Sequence, residues 1–140
     1  MENQASLKKV LVAVRPADLH IVSSALGSEF DLIVCHTVED AQSHLDERIG
    51  LIACGVQFGD DRMFDLLLAA KENPHTRQVP FYLLVGEGAK YSPAILHGIK
   101  RAAEALGASG FTDLSRLESD LGKAQAYQRL RDVIRRHLAS

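Results

Sequence analysis

The sequence predicts an α/β fold: a doubly wound, five-stranded parallel sheet in three α/β/α layers. Three observations lead there. Short runs such as Lys9–Val14 (KVLVAV), Asp31–Cys35 (DLIVC), Leu51–Cys54 (LIAC) and Val79–Val85 (VPFYLLV) are apolar on successive positions, so both faces of each strand are covered. Helical patterns alternate with them, which parallel strands need as crossovers. The 140 residues suit one such domain, spanning 1–140, with right-handed connections.

Each element has its own signal. After the first strand, Pro16 suits the first turn of a helix, where its missing N–H costs nothing. Leu19, Ile21, Val22 and Leu26 form that helix's apolar stripe, and Gly27 stops it. After Asp31–Cys35, a short polar helix is expected over Val38–Arg48, with Ala41 and Leu45 four apart. Beyond Leu51–Cys54, Asp60 or Asp61 is expected to cap a third helix that buries Phe64, Leu67 and Leu68, and Asn73-Pro74 ends it. Ser92 and Pro93 open a fourth helix, with Ile95, Leu96, Ile99, Ala102, Ala103 and Leu106 along one side. Gly107 ends it, Ala108–Thr112 is a short fifth strand, and Asp113–Gln125 is a long polar connection. A last helix over Ala124–Leu138 turns Tyr127, Leu130, Val133, Ile134 and Leu138 inward.

Bulk properties narrow the function classes. Apolar residues make up 46% and charged residues 24%, with a net charge of −2. That balance does not favour nucleic acid or an anionic membrane. No apolar run approaches the roughly 18 residues of a membrane span, and the N-terminus lacks a secretory pattern. The two cysteines make no disulfide framework. A reduced, cytoplasmic protein is the expectation.

Element order and local motifs resemble one family. FDLLLAAKENPHTRQVP, VPFYLLV and EALGASGFTDL resemble the third helix, fourth strand and fifth-strand entry of response-regulator receiver domains (CheY-like, flavodoxin-like fold). The resemblance runs from Lys8 to Leu138 and implies the strand order 2-1-3-4-5. It also implies a phosphorylation site at the strand ends: an acidic pair for Mg²⁺, an aspartate that accepts phosphate, a hydroxyl and a lysine. Electrostatics demands such a set, because a dianion built on a carboxylate needs a metal and donors around it.

None of those positions matches. The acidic pair falls at Ala13 and Val14, the phosphoacceptor at Gly55, the hydroxyl at Val85 and the lysine near Leu114. A slip of one residue brings in Arg15, Cys54 or Asp113, which restores nothing. The nearest carboxylates are Asp18, Asp60, Asp61 and Glu87. The expectation is a degenerate pseudo-receiver that is no enzyme, needs no cofactor or metal, and regulates by protein–protein contact in a bacterial two-component-type pathway.

Other chemistry is weaker. A thiol redox sensor at Cys54, with Cys35, is one alternative, since a helix N-terminus lowers a thiol pKa. In the implied strand order, however, the two would lie about 9–10 Å apart, too far for a disulfide. A second alternative is a nucleotide or phosphate site using Gly86, Gly88 and Lys90 in a glycine-rich loop before a helix. That loop is neither a G-x-G-x-x-G nor a Walker sequence. The six histidines show no zincin spacing and no Cys/His cluster.

Val85 and Gly107 are 22 positions apart, longer than the resemblance implies. The face built from the fourth helix, fifth strand and last helix is the usual partner-binding or dimerising face of receivers. Candidate contact residues there are Tyr91, Ile95, His97, Lys100, Arg101, Glu104, Arg129, Arg131 and Arg135. The expected partner is a signalling protein, with a second copy of the chain as one candidate.

Overall fold

Five strands form one parallel sheet in the computed structural model, which describes residues 8–86 and 91–139. They are β1 (Lys9–Ala13), β2 (Leu32–Cys35), β3 (Ile49–Gly55), β4 (Phe81–Val85) and β5 (Gly110–Asp113), in the order β2-β1-β3-β4-β5. The helices are α1 (Leu19–Leu26), α2 (Val38–Gln42), α3 (Phe58–Asp61), α4 (Met63–Glu72), α5 (Pro93–Ala105), α6 (Leu114–Leu121) and α7 (Lys123–Ala139). Pro16–Asp18 forms a 3₁₀ turn ahead of α1.

The strands are apolar throughout because both faces are roofed. Leu11, Ala13, Ile52, Cys54, Phe81 and Leu83 meet α2, α4 and α5. Val10, Val12, Leu51, Ala53, Tyr82 and Leu84 point the other way, against α1 and α7. Each fully buried Leu, Ile or Val contributes about 1.5–3 kcal/mol. Among the described residues, no helix is long and apolar enough to cross a membrane.

Four local expectations are corrected. Helix α2 stops at Gln42 rather than Arg48. Thr37 starts it by accepting from the Asp40 N–H at 3.0 Å. Its last turn is closed by side chains: Ser43 Oγ donates to the Asp40 carbonyl at 2.6 Å, and His44 Nδ1 lies 2.9 Å from the same oxygen. Such local bonds compete with helix continuation.

The third helix is broken rather than capped by aspartate. Asp61 sits at φ 68°, ending α3, and α4 starts at Met63 behind Arg62 without a side-chain cap. The buried stripe is then Met63, Leu66, Leu67 and Ala70, which leaves Leu68 exposed and Phe64 half-buried.

In α5 the inward line is Leu96, Ile99 and Ala103. Ala102 faces solvent, as do Ile95, 54% exposed, and Leu106, 41% exposed. The expected stripe was too wide for a helix lying on a sheet edge.

The polar connection after β5 contains α6. Asp113 caps it, accepting from the Arg116 N–H at 3.1 Å, and Gly122 at φ 85° ends it. Leu114, Leu117 and Leu121 are its spaced apolar residues, too sparse to stand out against polar neighbours.

Candidate functional site

In open α/β sheets the reactive positions lie past the carboxyl ends of the strands. Here that rim is apolar. Ala13, Val14, Val85 and Leu114 are buried, and Gly55 is buried between β1 and β4. Backbone donors at the rim are spent in the sheet: Val14 N–H bonds the Cys35 carbonyl at 3.1 Å, and Val56 N–H bonds that of Leu84 at 2.9 Å.

The Asp18 carboxylate, which lies beside Gly86 at this rim, is already engaged. Arg15 Nε donates to Asp18 Oδ2 at 2.9 Å, and Nη2 donates to Oδ1 at 3.1 Å. This contact raises the Arg15 pKa further. Gly86 permits the approach, since a Cβ there would stand 3.2 Å from Asp18 Oδ1. The space left among Asp18, Gly55, Val56 and Val85 is about 10 Å³. A neighbouring void beside Val14 and Leu114 is about 20 Å³. One water needs roughly 10–15 Å³, so each void has room for about one water.

Solved structures with this architecture are numerous. A response regulator from Hahella chejuensis is 17% identical, with a TM-score of 0.68 and 94% of each chain covered. The phosphorylated cyanobacterial phytochrome response regulator RcpA is 16% identical, with a TM-score of 0.66 and 90% of each chain covered. A response regulator receiver domain from Rhodospirillum rubrum is 18% identical at a TM-score of 0.65, over 89% of this chain and 92% of the other. The chain has the receiver fold. No family model matches the sequence, and no curated protein does.

The receiver fold implies an Mg²⁺ position at this rim. Mg²⁺ demands oxygen ligands in a near-ideal octahedron. Ala13 and Val14 offer no side-chain oxygen, and the Asp18 carboxylate is paired with Arg15. The side chains at these positions do not fit the ion.

The remaining candidates separate into groups. Gly86 is half-buried against Asp18, whereas Gly88 and Lys90 lie outside the described residues. Tyr91 is half-buried and donates its hydroxyl to Asp61 at 2.8 Å, so it is a tie within this receiver fold more than a free contact. Ile95, His97, Lys100, Arg101 and Glu104 are all exposed along α5, and His97 and Lys100 line the cleft toward α6. Arg129 is exposed on α7 and lines a cleft beside α6.

Arg131 and Arg135 are corrected. Arg131 donates to the Ala25 carbonyl at 2.9 Å and Arg135 pairs with Glu29 and Asp132, so both fasten α7 to the α1 side. Helix phase turns them away from the α5 surface. Sequence reading missed α6, which flanks two clefts of about 470 and 360 Å³. The first runs between α5 and α6 past Tyr91, Leu96 and Phe111; the second lies between α6 and α7.

Both thiols are covered. Ala13 pairs with Cys35 on one side and Cys54 on the other, which puts two strand spacings between them. Burial pushes the Cys54 thiol up. Burial first, then the Asp40 carboxylate, pushes Cys35 up to about 12. A protonated, covered thiol is a poor nucleophile. The fold also gathers Cys35, Asp40 and His44, a cluster that spacing alone did not reveal; the Asp40–His44 separation of four was its one sequence signal.

Proposed function

We propose that this protein is a signalling module of receiver fold that acts by contact, without aspartyl phosphorylation, in a two-component-type pathway. The observation that supports this most is the rim itself: Ala13, Val14, Gly55, Val85 and Leu114 are buried and supply no carboxylate, hydroxyl or amine. It does not catalyse its own phosphorylation, and its setting is the cytoplasm. Its contact surface is the exposed side of α5, with Ile95, His97, Lys100, Arg101, Glu104 and Leu106, together with α6. Exposed aliphatic side chains among charges suit a protein partner, either a signalling protein or a second copy.

Two measurements test this. Amide spectra are followed as Mg²⁺ and beryllofluoride, a phosphoryl mimic, are added. Unmoved signals at Ala13–Arg15, Gly55–Gln57 and Val85–Gly86 are expected; saturable shifts there would refute the loss of phosphorylation. The contact surface is tested by Ile95→Asp combined with Arg101→Glu. Self-assembly, or binding of a captured partner, should weaken about tenfold or more; unchanged binding would remove this face from the reading.

A further inference from the structure

Three ligand-bearing side chains meet beside the carboxyl end of β2. Cys35 ends the strand and is fully buried. Asp40 lies in α2, and His44 follows that helix. Cys35 Sγ is 3.7 Å from His44 Nδ1, and that nitrogen is 3.8 Å from Asp40 Oδ1. One ligand atom from each residue lies within 4.8 Å of the others.

Those separations approach a known coordination geometry. Zn²⁺ binds thiolate sulfur at about 2.3 Å, imidazole nitrogen at about 2.0–2.1 Å and carboxylate oxygen at about 2.0–2.2 Å, in a tetrahedron. The edges of such a tetrahedron are about 3.4–3.6 Å long. The Cys35–His44 and His44–Asp40 edges are longer by a few tenths of an ångström, and the Cys35–Asp40 edge lies within 4.8 Å, so side-chain rotation has to draw the Asp40 carboxylate inward. The donor set is selective as well. Mg²⁺ and Ca²⁺ want oxygen ligands, whereas thiolate with imidazole favours zinc and its softer neighbours.

The charges also balance. A thiolate and a carboxylate offset a divalent ion, so the strand end keeps no net charge. His44 Nδ1 now lies 2.9 Å from the Asp40 carbonyl and 3.3 Å from Ser43 Oγ. Those contacts hold the ring at the end of α2, next to the buried sulfur.

We infer that Cys35, Asp40 and His44 form a zinc-type metal site, with three protein ligands and a water in the fourth position. On binding, Cys35 releases its thiol proton to solvent. His44 coordinates through Nδ1 as neutral imidazole, with its remaining proton on Nε2, and gives up the carbonyl contact. No electron changes hands. The fourth position opens toward solvent through His44, whose side chain is 32% exposed. A bound ion would fasten α2 to the edge strand of the sheet.

Cobalt(II) is the first probe, added to reduced, chelator-treated protein. One equivalent should give a thiolate-to-cobalt charge-transfer band and the intense visible bands of a tetrahedral ion, both removed by one equivalent of Zn²⁺. Zinc calorimetry in buffers of different ionisation enthalpy should register about one proton released per ion. Asp40→Asn and His44→Ala, each outside the core, should weaken zinc binding about tenfold or more. Cys35→Ser should abolish the charge-transfer band; if that core variant does not fold, the two surface variants decide. Absence of saturable cobalt uptake, a cobalt spectrum without a thiolate band, or zinc affinity unchanged in both surface variants would overturn the site.

Discussion

The guanidinium of Arg15 lies against the carboxylate of Asp18 in a two-point contact, Nε to Oδ2 at 2.9 Å and Nη2 to Oδ1 at 3.1 Å. The pair sits where a receiver fold opens its strand ends, and it closes them. Asp18→Asn keeps the shape and removes the charge. Two-point arginine pairs are among the stronger polar contacts, but this one is partly open to water. The expected loss is about 1 kcal/mol in urea unfolding. An unchanged midpoint would make the pair incidental.

Restoring the aspartate should not restore the site. At Gly55 a new Cβ would stand 3.7 Å from Val14 Cγ1, an ordinary contact, so Gly55→Asp can be built. Its carboxylate would still be enclosed by apolar neighbours, which raises the folded-state pKa. The folded state then binds a proton more tightly than the unfolded chain, so stability falls as pH rises through that window. At neutral pH the variant should lose about 2 kcal/mol or more, and the deficit should shrink on acidification. Beryllofluoride with Mg²⁺ should still not bind, because Ala13 and Val14 supply no ligand; binding would show that one aspartate suffices.

Neither thiol should behave as a sensor. Cys35 and Cys54 are both buried and both held toward the protonated form. Under native conditions a thiol reagent should label them roughly a hundredfold or more slowly than in denaturant. Rapid labelling of Cys54, lost in Cys54→Ser, would revive the redox alternative.

The α1–α7 seam should respond to acid. The hydrogen bond from Arg135, ahead of its charge, holds Glu29 below the usual carboxylate range, and Asp132 is lowered by Gln128 and then Arg135. With folded pKa values depressed, the stabilisation is present above the ordinary carboxylate range and is lost as pH falls through the folded values. Arg135→Gln should therefore be less stable than the parent at pH 7. The gap should close below about pH 4 and narrow in high salt. A pH-independent gap would assign the effect to packing.

Much of this fold was legible because β1, β3 and β4 need two roofs. A strand apolar on every position has few other homes, and Pro16, Gly27, Pro93 and Gly107 mark where helices start and stop. Phase was harder to read. Leu68, Ile95 and Leu106 are as apolar as their buried neighbours, and only packing on the sheet decides which side faces in. Helix α6 escaped notice because three leucines among polar residues resemble a surface loop. The empty chemistry of the rim could be read position by position. The Cys35–Asp40–His44 cluster could not, because it depends on α2 ending early enough to fold His44 back over the strand.

The positions Ala13, Val14, Gly55, Val85 and Leu114 offer no side chain that could take up and later release a phosphoryl group. Under the proposed reading, a message cannot be written on this surface and later erased. Two molecules can differ only in what is seated on them. The signal becomes one of dosage: how many copies exist, and what fraction is occupied. Its timing follows synthesis and dissociation rather than the lifetime of an acyl phosphate.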